Sequence, residues 1–208
     1  GYEIGSVGTV MPDLEVKIGE NNEILLRGKT ITTGYYKKPE ATAAAIDKDG
    51  WFHTGDAGYL KGNHLYLTER IKDLFKTSNG KYISPQALET KLSIDRYIDQ
   101  IAVIADQRKF VSALIVPVYG LVKNYAKEKG LEYKDMADLL QHPKVQALFR
   151  ARIDTLQQQF AHYEQVKRFT LLSEPFSMER GELTNTLKLK RSVVAKNYKE
   201  LIDKMYEE

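Results

Sequence analysis

Between Leu67 and Ile83 the chain changes the period of its hydrophobic pattern, and that change limits the folds open to it more than any other feature. Upstream, short alternating stretches are separated by glycine turns; downstream, a hairpin pattern leads into long amphipathic helical patterns. Arg70, Lys72 and Asp73 stand at the junction. A charged trio between the end of one unit and the apolar start of the next suits a hinge, because backbone there stays solvated while it rotates. The same trio also suits a charged surface loop, and local pattern leaves both open.

Leu14 to Ile18 alternates apolar and polar, Gly19 to Asn22 supplies turn residues, and Glu23 to Arg27 follows, so a hairpin is expected. Pro39 and the alanines at 41, 43, 44 and 45 predict a short helix through Ile46, closed by Asp49-Gly50. Two short strands are expected at Gly58 to Leu60 and Leu65 to Thr68. Past the junction, Asn79-Gly80 between Leu74 to Thr77 and Tyr82 to Ser84 predicts a tight hairpin. Ser84-Pro85 reads as an N-cap followed by proline in the first helical turn, opening a helix that carries Leu88 and Leu92 inward. Ile101 to Ala105 and Ser112 to Val116 are expected as buried strands, and Val166 to Leu172 as a third. Helices are expected from Leu121 to Lys129 ahead of Gly130, around Met136 to Leu140, and from Pro143 through Phe160. A last helix from Ser192 should place Val194, Tyr198, Leu201 and Met205 along one side. The expected fold class is α+β, with a β-rich unit over 1–71 and an α+β unit over 72–208.

With 208 residues, 42% hydrophobic and 28% charged, the chain has enough apolar content for one ordinary domain or two small ones. No apolar run is long enough to cross a bilayer and no charged-then-apolar leader is present, so the expectation is a soluble protein. The absence of cysteine removes disulfides and thiolate chemistry. A net charge of +3 is too small to argue for nucleic acid or an anionic membrane as the main partner. The chain opens Gly1-Tyr2-Glu3 in what reads as a loop, from which an excised part of a longer polypeptide is expected.

His53, His64, His142 and His162 show no metal-ligand spacing, so no metal site is expected. Ser78-Asn79-Gly80-Lys81 lacks the upstream glycine of a phosphate loop and has Tyr82 where a magnesium-binding Ser or Thr belongs. There is no nucleophile elbow and no dinucleotide fingerprint.

What remains is an ordered set of motifs: Gly28 to Thr42 (GKTITTGYYKKPEAT), Asp49 to Asp56 (DGWFHTGD), Glu69 to Glu89 (ERIKDLFKTSNGKYISPQALE) and Gly181 to Arg191 (GELTNTLKLKR). This series resembles the adenylate-forming superfamily of acyl-CoA synthetases, luciferases and peptide-synthetase adenylation domains, over essentially the whole chain. The last motif, with the His142-Pro143 helix and the Tyr163 to Leu172 segment, is most similar to the bacterial long-chain fatty acid:CoA ligases.

The resemblance implies that 1–71 is the end of a large N-terminal adenylating domain and 72–208 a mobile C-terminal lid. It implies ATP, with Mg2+ bound through it, and coenzyme A as cofactors. A fatty acid is the implied substrate and the N-terminal domain of the same parent chain the implied partner, in the cytoplasm, with peripheral membrane contact left open. Asp56 would accept hydrogen bonds from the ribose hydroxyls, a diol being well matched to an ionised carboxylate. Arg70 would complete that contact; its simpler alternative is a surface ion pair with Glu69 or Asp73. Lys72 occupies the family's hinge position. Lys188 matches the catalytic lysine that offsets charge at the α-phosphate; its simpler alternative is a basic helix N-terminus, with Lys190 and Arg191 beside it. Gly80 belongs to the hairpin that admits the thiol of coenzyme A, although that hairpin is one residue longer than the shorter family pattern and leaves Ser78, Asn79 and Gly80 as alternatives. The phosphate loop and the Tyr-Gly-x-Thr-Glu motif of the family are not in this sequence, so the fragment alone is expected to be inert. An acyl-AMP ligase feeding a carrier protein, a peptide-synthetase module, and a non-enzymatic basic binding domain acting through Lys188 to Lys199 are the competing expectations.

Overall fold

The computed structural model describes residues 3–207. Gly1 and Tyr2, at the opening noted in the sequence, and Glu208 lie outside the described residues. The chain forms two compact units, Gly1–Leu74 and Phe75–Glu208.

In the first unit, β1 (Gly8–Thr9), β2 (Leu14–Ile18), β3 (Glu23–Gly28), β4 (Phe52–Lys61) and β5 (His64–Arg70) form an antiparallel sheet in the order β1-β5-β4-β3-β2. The β2–β3 hairpin arises where alternation predicts it, and its turn is a 3-10 element in which Asn21 and Asn22 take positive φ. Helix α1 (Pro39–Ala45) carries its proline in the first turn. One expectation is corrected here. Both strands of the second hairpin are longer than predicted, so that Thr54-Gly55-Asp56 lies inside β4 rather than in a loop ahead of it. The reason is tertiary: β3 and β5 pair with the backbone on either side of a bulge at Gly55, which carries the strand through residues of low strand propensity. The two-residue β1 has no pattern to read and pairs at the edge with β5.

The second unit begins with the hairpin β6 (Phe75–Lys76) and β7 (Tyr82–Ile83), followed by α2 (Pro85–Leu92), β8 (Ile98–Ile104), β9 (Val111–Pro117), α3 (Tyr119–Glu128), α4 (Met136–Gln141), α5 (Pro143–Leu156) and β10 (Val166–Leu171). It ends with α6 (Arg191–Asn197) and α7 (Lys199–Lys204). The sheet order is β10-β9-β8, with β9 antiparallel to β8 and parallel to β10. Every residue of β9 is buried, because both faces of the sheet are covered. Strand alternation divides the core: Ile101, Val103, Ala113 and Ile115 pack with residues of α2 to α5. Ala102, Leu114 and Val116 pack with Leu172, Phe176, Val194 and Ile202 on the other face.

Helix ends follow side-chain chemistry, as where Ser84 Oγ accepts from the Ala87 N–H and Asp135 caps α4 by accepting from the Asp138 N–H. Helix α5 stops at Leu156, short of Phe160, because Gln157 is drawn into the sheet and accepts from the Val166 N–H at 2.8 Å. The single C-terminal helix expected from sequence is interrupted at Tyr198. The break shifts the buried face by one residue: Ile202 is 2% exposed, whereas the predicted Leu201 is 36% exposed. Among the described residues no helix is long and apolar enough to cross a membrane.

Candidate functional site

The chemistry-bearing residues fall into one set in each unit. In the first, Leu25 pairs with His53 and Glu23 with Ala57, so Thr54, Gly55 and Asp56 together face Ile24 alone. Such a bulge re-aims side chains. Gly55 takes φ +69°, and a methyl group there would meet nothing within 4 Å, so the demand for glycine is one of backbone angle rather than space. The bulge is held by Thr54 Oγ1, which donates to the Ile24 carbonyl at 2.7 Å and accepts from the Asp56 N–H at 3.1 Å. The Glu23 carboxylate accepts from the Gly55 N–H at 3.0 Å and meets His53 Nδ1 at 2.9 Å. The Asp47 carboxylate fixes the preceding turn by accepting from the Trp51 and Asp49 N–H groups; the Trp51 hydrogen bond is the main cause of its lowered pKa, with burial opposing it.

Asp56 is thereby brought opposite Arg70 on β5, with Oδ1 3.4 Å from Nε. The sequence suggested Glu69 or Asp73 as the local partner of Arg70; cross-strand register brings Asp56 to it. The pair is exposed enough that it contributes under about 1 kcal/mol to stability. Its chemical value is a carboxylate and a guanidinium presented side by side to solvent, one accepting and the other donating. Lys72 lies in a 3-10 turn over Ile71–Asp73, exposed, within the last three residues before the Leu74–Phe75 division between the units.

In the second unit Gly80 sits at the tip of the β6–β7 hairpin with φ +76° and open space around its α-carbon. Thr77 closes the tip, its N–H donating to the Lys81 carbonyl and its hydroxyl accepting from the Lys81 N–H. The neighbours of Gly80 are tied down: the Ser78 N–H donates to the Arg108 carbonyl at 3.0 Å and the Asn79 amide to the Lys109 carbonyl at 3.4 Å.

Lys188 lies on a second tight hairpin, where Leu183 bridges Leu189 and the Lys190 N–H donates to the Glu182 carbonyl at 2.7 Å. The Thr184 hydroxyl accepts from the Lys188 N–H at 3.0 Å. Leu187 takes φ +61°, a conformation costly for a side chain bearing a Cβ, immediately before the lysine. Leu183 and Leu189 pack toward the Val194 and Ile202 cluster, while the Lys188 side chain is exposed. Lys188 is therefore not at a helix N-terminus as its simpler alternative supposed; α6 begins three residues later at Arg191.

Two supports of this hairpin were not legible in the sequence. Arg191 makes a bidentate pair with Glu89 of α2 at 2.6 and 2.7 Å, and the same carboxylate accepts from the Val103 N–H at 2.8 Å. Both residues end motifs, yet nothing local says that they meet 102 positions apart. Glu89→Ala is expected to lower the unfolding free energy of this chain by about 2 kcal/mol, measured by urea titration; a change under a few tenths would show the pair to be ornamental. The second support is Glu182, 1% exposed. Its carboxylate accepts from Arg180 Nε at 3.1 Å, Asn197 Nδ2 at 3.1 Å and the Ser177 N–H at 3.0 Å. Burial pushes its pKa up, but these hydrogen bonds outweigh burial and leave it lowered. The stabilisation is thus complete above the ordinary glutamate range and is lost as pH falls through the lowered value.

Among the described residues no group of three or more His, Asp or Glu side chains could hold a metal ion.

A family model described as AMP-binding enzyme C-terminal domain matches residues 72–208. Long chain acyl-CoA synthetase 6, peroxisomal, of Arabidopsis thaliana is 34% identical over 98% of this chain and 32% of its own length. The long-chain-fatty-acid–CoA ligase FadD15 of Mycobacterium tuberculosis is 32% identical over 98% of this chain and 34% of its own. The chain therefore spans about a third of the length of these curated relatives. Among solved structures, the A domain of a carboxylic acid reductase from Segniliparus rugosus, in complex with AMP and a co-purified carboxylic acid, superposes with a TM-score of 0.62. It is 26% identical, with 88% of this chain and 28% of that chain covered. The corresponding adenylation domain from Mycobacterium chelonae gives the same TM-score and identity.

Proposed function

This chain belongs to the AMP-binding enzyme C-terminal domain family, and from that premise we propose that it is the C-terminal part of a long-chain fatty acid:CoA ligase. In the first step a fatty carboxylate oxygen attacks the α-phosphorus of ATP, releasing pyrophosphate and leaving acyl-AMP. Lys188 supplies its ammonium to the negative charge that accumulates there, an electrostatic contribution realised mainly in the transition state. Asp56 and Arg70 hold the ribose, the carboxylate accepting from the hydroxyls and the guanidinium donating. In the second step the thiol of coenzyme A attacks the acyl carbon and AMP departs. Gly80 borders the thiol's route, which a side chain would narrow; Ser78 and Asn79 are engaged with the 108–109 backbone, which favours Gly80 of the three.

The observation that carries the two-step scheme is the placement of the two hairpins. Phe75 and Ile83 anchor the Gly80 hairpin and Leu183 and Leu189 anchor the Lys188 hairpin, and the two roots adjoin, with Phe75 and Leu189 lining one cavity and the Arg191 guanidinium 5.4 Å from the Phe75 ring centroid. Lys188 and Gly80 are thus carried on two different exposed loops, and in the reading proposed here Lys188 at the α-phosphate stands in the route that the thiol must take, so the two loops act one after the other. Rotation about Lys72 presents them in turn.

Lys72→Pro in the full-length parent tests the pivot. Proline fixes its own φ and pushes Ile71 out of the helical region, stiffening the turn. Thioester formation from supplied acyl-adenylate should fall at least about tenfold while fatty-acid-dependent ATP–pyrophosphate exchange stays within about twofold. Equal losses in both half-reactions would remove the pivot from the scheme. Product analysis with coenzyme A against a carrier protein separates this function from an acyl-AMP ligase.

A further inference from the structure

Glu182 is a fully buried carboxylate to which the two-step chemistry gives no task. We propose that Glu182 is a positioning residue for Lys188, its carboxylate locking the base of the hairpin on which that lysine is carried. It does not touch substrate; it acts through the backbone.

The geometry for this is continuous. Arg180 Nε donates to both carboxylate oxygens at 3.1 Å, Asn197 of α6 donates to Oε1, and the Ser177 N–H donates to Oε2. One side chain thus ties together the turn before the hairpin, the hairpin itself and the helix after it. From its own carbonyl the register runs directly to the lysine: the Glu182 carbonyl accepts from the Lys190 N–H, and the Thr184 N–H donates to the Lys188 carbonyl at 2.8 Å. Arg180 is itself held by the Pro175 carbonyl and by Glu174, so the clamp has an outer ring. Leu187 keeps its positive φ only if both ends of the hairpin are fixed, since an isolated non-glycine residue relaxes out of that region. A buried ion pair is poor evidence of stabilisation in itself, because desolvation consumes most of the attraction. What this one secures is orientation, and the residue oriented is the cation of the adenylation step.

The inference rests on the adenylation role of Lys188, and the test keeps the two apart. In the full-length parent enzyme, Glu182→Gln preserves shape but removes the charge that organises Arg180. Expected is a loss of about tenfold or more in kcat for ATP–pyrophosphate exchange, with KM for ATP and fatty acid and the rate of thioester formation from a synthetic long-chain acyl-adenylate within about twofold. The Glu182→Gln, Lys188→Ala double variant should be no slower in exchange than Lys188→Ala alone, because a residue that acts through Lys188 has nothing further to lose. Multiplicative loss in the double variant, or equal loss in both half-reactions, would overturn the positioning role and leave the function of Lys188 intact. Undiminished exchange in Lys188→Ala would overturn the adenylation role and this inference with it. Should Glu182→Gln fail to fold, Asn197→Ala, at an exposed position and removing one bond of the clamp, should lower exchange about threefold with thioester formation unchanged; no selective effect would overturn the proposal equally.

Discussion

Lys188→Ala in the full-length parent enzyme is expected to slow fatty-acid-dependent ATP–pyrophosphate exchange by about 100- to 1000-fold, the usual consequence of removing one preorganised charge or donor from a transition state. Thioester formation from supplied acyl-adenylate should change by less than about threefold. The separation follows from where the side chain is: exposed on a hairpin of its own, it contributes nothing to the core, so its loss leaves the unfolding transition in place. Lys188→Arg restores the charge but not the compact ammonium, and should recover only part of the rate. Comparable loss in both half-reactions, or a lowered melting temperature in proportion to the lost rate, would mean that Lys188 supports structure rather than adenylation.

Phe149→Ala should produce the largest stability change and no such separation. Its ring is fully buried on α5 and meets Tyr97 edge-on, with centroids 6.1 Å apart. Truncation removes that contact and leaves a cavity in the core cluster that α5 shares with α2 and the sheet. The expected cost is about 3–5 kcal/mol, read as a fall of roughly 10 °C in melting temperature for a unit of this size. Below that temperature the two half-reactions should fall together or not at all. A loss under about 1 kcal/mol would show the α5 side of the core to be loosely packed.

These two variants mark the line between what could be read locally and what could not. The β2–β3 hairpin, the Ser84 cap and the apolar β8 and β9 were legible because each depends on residues within a few positions of one another. Asp56, Arg70, Lys72, Gly80 and Lys188 were singled out through motif resemblance, not periodicity. The same local logic misread β4, where glycine and aspartate argue against a strand until β3 and β5 pair with the backbone on either side of the bulge. It also ran α5 past Gln157 and carried one helix through Tyr198, because a side chain recruited by a distant strand and a one-residue shift in phase leave no mark in the hydrophobic pattern.

Local pattern was enough for the α+β class, the left-handed hairpin tip at Gly80 and the identity of the charged groups available for chemistry. Which polar groups meet was settled by the packed fold: Asp56 with Arg70 across a strand pair, Glu89 with Arg191 between α2 and α6, and the Glu182 carboxylate with the Asn197 amide inside the clamp. Backbone angles and burial patterns are properties of neighbouring residues. The choice of partner for a charge is fixed by chain closure over long separations, and it is set only when the core has packed and excluded the water that would otherwise satisfy each group alone.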